Sequence, residues 1–393
     1  MRRVEFKKIY EKKSLMVAIY AMEFFLSLLV AVNIYINSSF LLTFTTEDFV
    51  GIIYSVGSFL TILSVLLATK VLEKYGNYKT ILILFVLNTI SLVGLAIFKS
   101  FSFVIFAFFI HFILSVILFF NLDAFIENYS QNEKTGAIRG TTLTVCNIAF
   151  IIGPIIAGFL SVGGAFWKIY IVAAILNLPI LLLLILNFKN FKDPQYNKLK
   201  FWETAKKVAK NKDVRGIFVA DFVLRSFFAW MVIYSVIYLN KYIGFGFDSI
   251  GIIMSVMLFA YLFLELPLGI LADKKFGEKE ILNIGFVILI ISTAALSFIT
   301  GKNLIVWAGA FFATRVGAAM VEIMTETYFF KKIDRTDTNV LSLFRMMRPF
   351  AYMLAPIIAT VFLIFFDIKY IFIAIAAITL IGLKYGLSIK DTQ

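Results

Sequence analysis

Asp248-Ser-Ile-Gly-Ile-Ile-Met-Ser-Val-Met257 repeats, two hundred positions further on, the pattern of Asp48-Phe-Val-Gly-Ile-Ile-Tyr-Ser-Val-Gly57, with Asp, Gly, Ile, Ile, Ser and Val in register. The likeness extends outward from both copies. The same offset sets Glu73-Lys74 opposite Asp273-Lys274, and the turns that follow close on Gly76 and Gly277. Elsewhere, Gly153-Pro-Ile-Ile-Ala-Gly158 is echoed by Ala355-Pro-Ile-Ile-Ala-Thr360. Correspondence over that distance predicts a chain built from two like halves.

Composition says what the halves are made of. Of 393 residues, 61% are hydrophobic, 17% aromatic and only 16% charged, which excludes a soluble domain. A bilayer core needs about 20 apolar residues per helix. On that rule twelve spans are expected near 14–36, 49–71, 79–98, 101–126, 139–161, 166–188, 216–239, 249–272, 280–300, 303–328, 339–365 and 368–388. The first run follows Arg2, Arg3, Lys7, Lys8, Lys12 and Lys13, but it is too long for a signal peptide and no small-residue cleavage site follows. It is expected to be a retained span. The single cysteine, Cys146, allows no intramolecular disulfide.

Basic residues alternate between connections. The 37–48 connection has no Lys or Arg, and Lys99, Lys168 and Lys302 stand alone in theirs. By contrast Lys70, Lys74 and Lys79, Lys134 and Arg139, and Lys274, Lys275 and Lys279 cluster on the other side. The positive-inside rule then predicts a multi-pass protein of the cell membrane with both termini in the cytoplasm. The net charge of +13 is spread over short loops, so its expected partner is anionic inner-leaflet lipid and not nucleic acid. The longest connection, 188–216, is rich in lysine, and Leu199, Trp202, Ala205 and Ala209 recur at helical spacing, which predicts a helix on the membrane surface. The domains expected are 1–188, a linker over 189–215, and 216–393.

The stretch Glu265 to Lys279 carries Gly269, Asp273, Lys274 and Gly277 in an order that resembles the cytoplasmic loop signature of the major facilitator superfamily of secondary transporters. Phe276 is one residue more than the usual pattern. Together with the repeat, the resemblance covers the whole chain. It implies an all-α membrane fold of twelve helices in two pseudo-symmetric six-helix bundles. A monomer with no cofactor, no metal and no enzymatic activity is expected. Asp273 would face the start of the fifth span beside Arg139, and Glu73 the eleventh span beside Arg345, with Arg348 near, as a cytoplasmic gate. Gly153, Pro154 and Gly158 resemble the fifth-helix signature of antiporter branches, although Ala157 departs from it.

Charge inside a span costs about 2.5–3.5 kcal/mol on insertion scales, so each such group needs a partner or a task. Arg315, Glu322 and Glu326 share one stripe of the tenth span, beside Ala318 and Ala319. Arg315 is a candidate substrate or coupling charge, and Glu322 and Glu326 are candidate proton sites, since burial favours the protonated form of a carboxyl group. The alternative is that both glutamates pair with Arg345 and Arg348. Glu23, on a face with Tyr20 and Ser27, is the other proton candidate, or else a structural partner of Asn147. Asn33, Asn147, Trp230 and Tyr234 are candidate cavity residues. Asp221 and Arg225, at i and i+4, are expected to neutralise each other. Glu265 is either a cavity acid or part of the loop motif. His111 stands alone and reads as hydrogen-bonded structure. Asp123 and Glu127 read as gate or loop charges.

No phosphate-binding glycine loop and no nucleophile or metal-ligand spacing is present in the sequence. The function expected is proton-coupled export of a small amphipathic, cationic molecule by alternating access. Proton-coupled uptake of a nutrient or metabolite is the first alternative, and a non-transporting sensor or scaffold the second.

Overall fold

A computed structural model describes residues 2–129, 135–193, 200–271, 277–333 and 337–390. In chain order the helices are α1 (Arg2–Ile34), α2 (Asn37–Leu42), α3 (Glu47–Tyr75), α4 (Asn77–Ile97), α5 (Phe101–Tyr129), α6 (Thr135–Leu160) and α7 (Trp167–Asn187). They continue with α8 (Phe201–Lys210), α9 (Lys212–Ile237), α10 (Phe247–Leu271), α11 (Gly277–Leu296), α12 (Leu304–Lys332), α13 (Thr338–Arg345), α14 (Met347–Phe365) and α15 (Ile371–Ser388). Among the described residues, 12 helical spans are long and apolar enough to cross a membrane, and they fall where the apolar runs predict. The fold is an all-α membrane architecture of the two-bundle kind.

Local chemistry sets the helix ends. Asn211 Oδ1 accepts from the backbone N–H of Asp213 at 3.1 Å and Val214 at 3.2 Å, and Asn303 Oδ1 does the same for Ile305 at 3.0 Å and Val306 at 3.2 Å. Gly76 (φ 76°) and Gly277 (φ 69°) both take a positive φ, which favours glycine at the end of each loop motif.

Packing divides the chain into two compact units. The first comprises Met1–Ile34 and Leu63–Tyr196, the second Tyr35–Ile62 and Asn197–Gln393. In the first, α1 lies against α5, α6 and α7, and α4 against α5 and α7. The α1–α6 contact is close: a β-carbon on Gly153 would lie 2.3 Å from that of Ala31. In the second, α9 is the central helix, 78% of its apolar window being buried, and it packs on α2, α12, α14 and α15. An apolar helix so enclosed by protein needs little lipid contact.

The linker helix forms where the helical spacing predicts one. α8 buries Thr204 and Val208, while Trp202 is 76% exposed. The face through Trp202, Ala205 and Ala209 is therefore not the packed one, and Leu199 lies outside the described residues. The stripe through Thr204 and Val208 docks because its neighbours supply polar anchors. Lys207 Nζ meets Asp337 Oδ2 at 2.5 Å, and Asn339 Oδ1 accepts from the Lys200 N–H at 3.0 Å, so α8 is tied to α13.

Candidate functional site

In the first unit, α1 carries Glu23 into the packed interior, 3% exposed. The Cys146 thiol on α6, next in sequence to Asn147, donates to Glu23 Oε2 at 3.8 Å, and Asp123 on α5 is its charged neighbour. No cation among the described residues pairs with Glu23. The carboxyl thus meets a thiol and lies within the field of a second acid. Asn33 Nδ2 donates to Leu29 O at 2.9 Å, so it braces its own helix. His111 Nδ1 lies 2.8 Å from Asn88 Oδ1, as hydrogen-bonded structure.

The first loop motif is engaged inside its own unit. The backbone N–H of Asn77 donates to Asp193 Oδ1 at 2.7 Å, and a β-carbon on Gly76 would lie 2.7 Å from Asp193 Oδ2. Asp193, from the connection after α7, thus caps α4 where the glycine turns. Glu73 and Arg139 are exposed. In the second motif Asp273 and Lys274 lie outside the described residues, as do the side chains of Glu265 and Gly269. Glu278, one residue past Gly277 and fully buried, pairs with Lys331 of α12.

The fifth-span stretch is a packing element. Gly153 meets Ala31 and Val32 of α1, Pro154 sits inside α6, and Ala157 and Gly158 are buried.

In the second unit Arg225 is the hub of a charge cluster. Its Nε lies 3.2 Å from Asp221 Oδ1 on the same helix, its Nη1 2.5 Å from Glu322 Oε1 and its Nη2 3.7 Å from Glu326 Oε1, both on α12. The i, i+4 pair expected from the sequence is there. Both glutamates meet this one cation because α9 lies against this face of α12. Arg348 instead lies over the Tyr352 ring at 6.0 Å.

Arg315 does not join that cluster, although it shares a helix with both glutamates. It is 2% exposed, its Nε is 3.5 Å from Met257 Sδ, and its guanidinium lies 5.6 Å and 5.0 Å from the ring centres of Phe227 and Phe228. Tyr35, Tyr261 and Tyr352 are its polar neighbours, and its Nη2 has no hydrogen-bond partner. None of this ring is marked in the sequence beyond its aromatic character.

Trp230 and Tyr234 are packed, not open. Trp230 Nε1 donates to Ala355 O on α14 at 2.7 Å, and both side chains are almost wholly buried. At the end of α9, Lys241 Nζ lies 2.5 Å from Glu47 Oε1, and the Tyr242 hydroxyl is 3.0 Å from each oxygen of Glu47.

The sequence profile described as Major Facilitator Superfamily matches residues 14–239 and 222–389. In structure the chain is similar to a point mutant of the nucleoside transporter NupG, with a TM-score of 0.79 at 14% identity over 96% of this chain and 100% of that one. The unmutated NupG gives 0.78 at 13% identity, over 95% of this chain and 98% of that one. At these identities the likeness is one of fold. No curated protein sequence matches the chain.

Proposed function

Because the chain belongs to the major facilitator superfamily, and is therefore a secondary transporter rather than an enzyme, we propose that it is a proton-coupled symporter that takes a small metabolite into the cell by alternating access. The observation that carries this is Glu23: a buried carboxyl with a thiol and an acid beside it and no cation among the described residues. A carboxyl so placed can exchange a proton when water reaches it. The Arg225 cluster supports the same coupling. Asp221, Glu322 and Glu326 bring three titratable carboxyl groups to one guanidinium. Both termini lie in the cytoplasm on this reading, as the distribution of lysine and arginine requires.

Uptake is favoured over export on two grounds. The fifth-span stretch that resembles an antiporter signature is accounted for by the contact of Gly153 with Ala31 and Val32. The solved structures of like fold belong to a transporter of nucleosides, which are metabolites.

Proteoliposomes holding a pH dye, with an inward proton gradient imposed, test the proposal. Metabolites added outside should speed acidification of the lumen, and Glu23→Gln should abolish that effect. Loss of luminal protons in exchange for an entering solute would instead mean antiport and overturn symport.

A further inference from the structure

We propose that Arg315 is the docking group for an organic monocarboxylate with a flat apolar or aromatic body. The assignment names the substrate class for the symport reading and rests on it only for how the ligand arrives. A guanidinium is charged at every physiological pH. Arg315 holds that charge in the interior of the second unit, 2% exposed, and no carboxylate among the described residues pairs with it. Arg225 shows the contrast, with three acids around it in the same unit.

What surrounds Arg315 cannot replace an anion. A thioether sulfur 3.5 Å from Nε is a weak acceptor. The ring faces of Phe227 and Phe228 contribute about 0.5–2 kcal/mol by cation–π attraction. Enclosing a charge costs several kcal/mol even after relaxation. The Nη2 amine, buried and without a partner, marks the direction from which compensation is missing. A carboxylate would supply what is missing, one oxygen taking Nη2 and the other the hydroxyl of Tyr35, Tyr261 or Tyr352. One positive charge calls for one negative charge, and walls of aromatic faces suit a flat apolar body.

The test is thermal unfolding of the purified full-length chain with benzoate, phenylacetate and hexanoate, each beside its neutral amide, and with inorganic phosphate. At least one carboxylate should raise the melting temperature where its amide does not. Arg315→Gln should lose that shift and, without ligand, melt no lower than the parent, since an uncompensated charge has gone. Arg315→Lys keeps charge without the fork and should need at least tenfold more carboxylate for the same shift. The proposal is overturned if no carboxylate outperforms its amide, if phosphate alone stabilises, if the shift survives Arg315→Gln, or if the ligand-free Gln variant melts lower. Carboxylate binding without proton-linked flux would sink symport and leave this site standing. Proton-linked flux of a neutral solute, unchanged in Arg315→Gln, would do the reverse.

Discussion

Gly51 and Tyr234 approach so closely that a β-carbon at position 51 would lie 2.4 Å from the phenolic oxygen, and 2.5 Å from Thr360 Oγ1. Gly51 is the glycine shared by the two copies of the repeat. Gly51→Ala is expected to cost about 1–3 kcal/mol through overpacking. Tyr234→Phe removes the nearer oxygen and should recover part of that loss, so a double-mutant cycle on melting temperature should show coupling between the two sites. Additive losses would mean that the two do not meet.

Gly76→Ala meets two obstacles, a left-handed backbone and the Asp193 carboxylate at 2.7 Å. The backbone alone, at φ 76° and ψ 157°, costs roughly 1–3 kcal/mol for any residue but glycine. Asp193→Ala in the same background should relieve only the contact. Unfolding of the single and double variants separates the two causes, and an undiminished melting point in Gly76→Ala would refute both.

Glu23→Gln replaces an unpaired carboxyl by a neutral group of the same shape, so stability should stay within about 0.5 kcal/mol of the parent, as for changes that break no pair. Proton-driven accumulation should vanish while exchange of labelled for unlabelled substrate continues. A variant that still accumulates substrate on a proton gradient removes Glu23 from the coupling path.

Arg225→Met removes the cation beside the buried Asp221 carboxylate and the partly exposed Glu322, and is expected to cost up to about 3–5 kcal/mol, the loss found when a buried pair is broken. Adding Asp221→Asn and Glu322→Gln should restore much of it. If the triple variant unfolds as readily as the single one, the guanidinium acts by packing and not by charge.

The α8–α13 contact should loosen in acid. The hydrogen bond from Lys207 holds the Asp337 carboxyl below the ordinary value of 3.8. Its folded-state value is depressed, so its stabilisation is complete above that ordinary value and is lost as the pH falls through the lower, folded one. Lys207 is 69% exposed, so the pair contributes about 0–1 kcal/mol. Protection of the Thr204 and Val208 amides from hydrogen exchange, taken relative to the intrinsic rate at each pH, should fall on acidification and in Asp337→Asn at neutral pH, where the acid dependence should disappear.

Much of the architecture is legible because a bilayer imposes length and polarity on every span, so apolar runs and loop lysines mark the helices almost to the residue. The glycine turns are legible too, since a left-handed residue has few substitutes. The partners of the intramembrane charges are not. Glu322 meets Arg225 across 97 positions, and helical spacing says which residues share a stripe but not which stripe of another helix it faces. For the same reason the stripe shared by Arg315 and Glu322 misleads: seven residues apart on α12, they look to different neighbours. Asp193 is hidden by lying in an irregular connection.

Glu278 and Lys331 open and close the helical hairpin formed by α11 and α12, with 53 positions between them. Their pairing clips the open end of that hairpin, opposite its connecting loop. The clip cannot exist while only α11 has left the ribosome, and it completes when the last turn of α12 emerges. Until then Glu278 has no Lys331 to meet, so the hairpin closes from its open end only when both helices are complete.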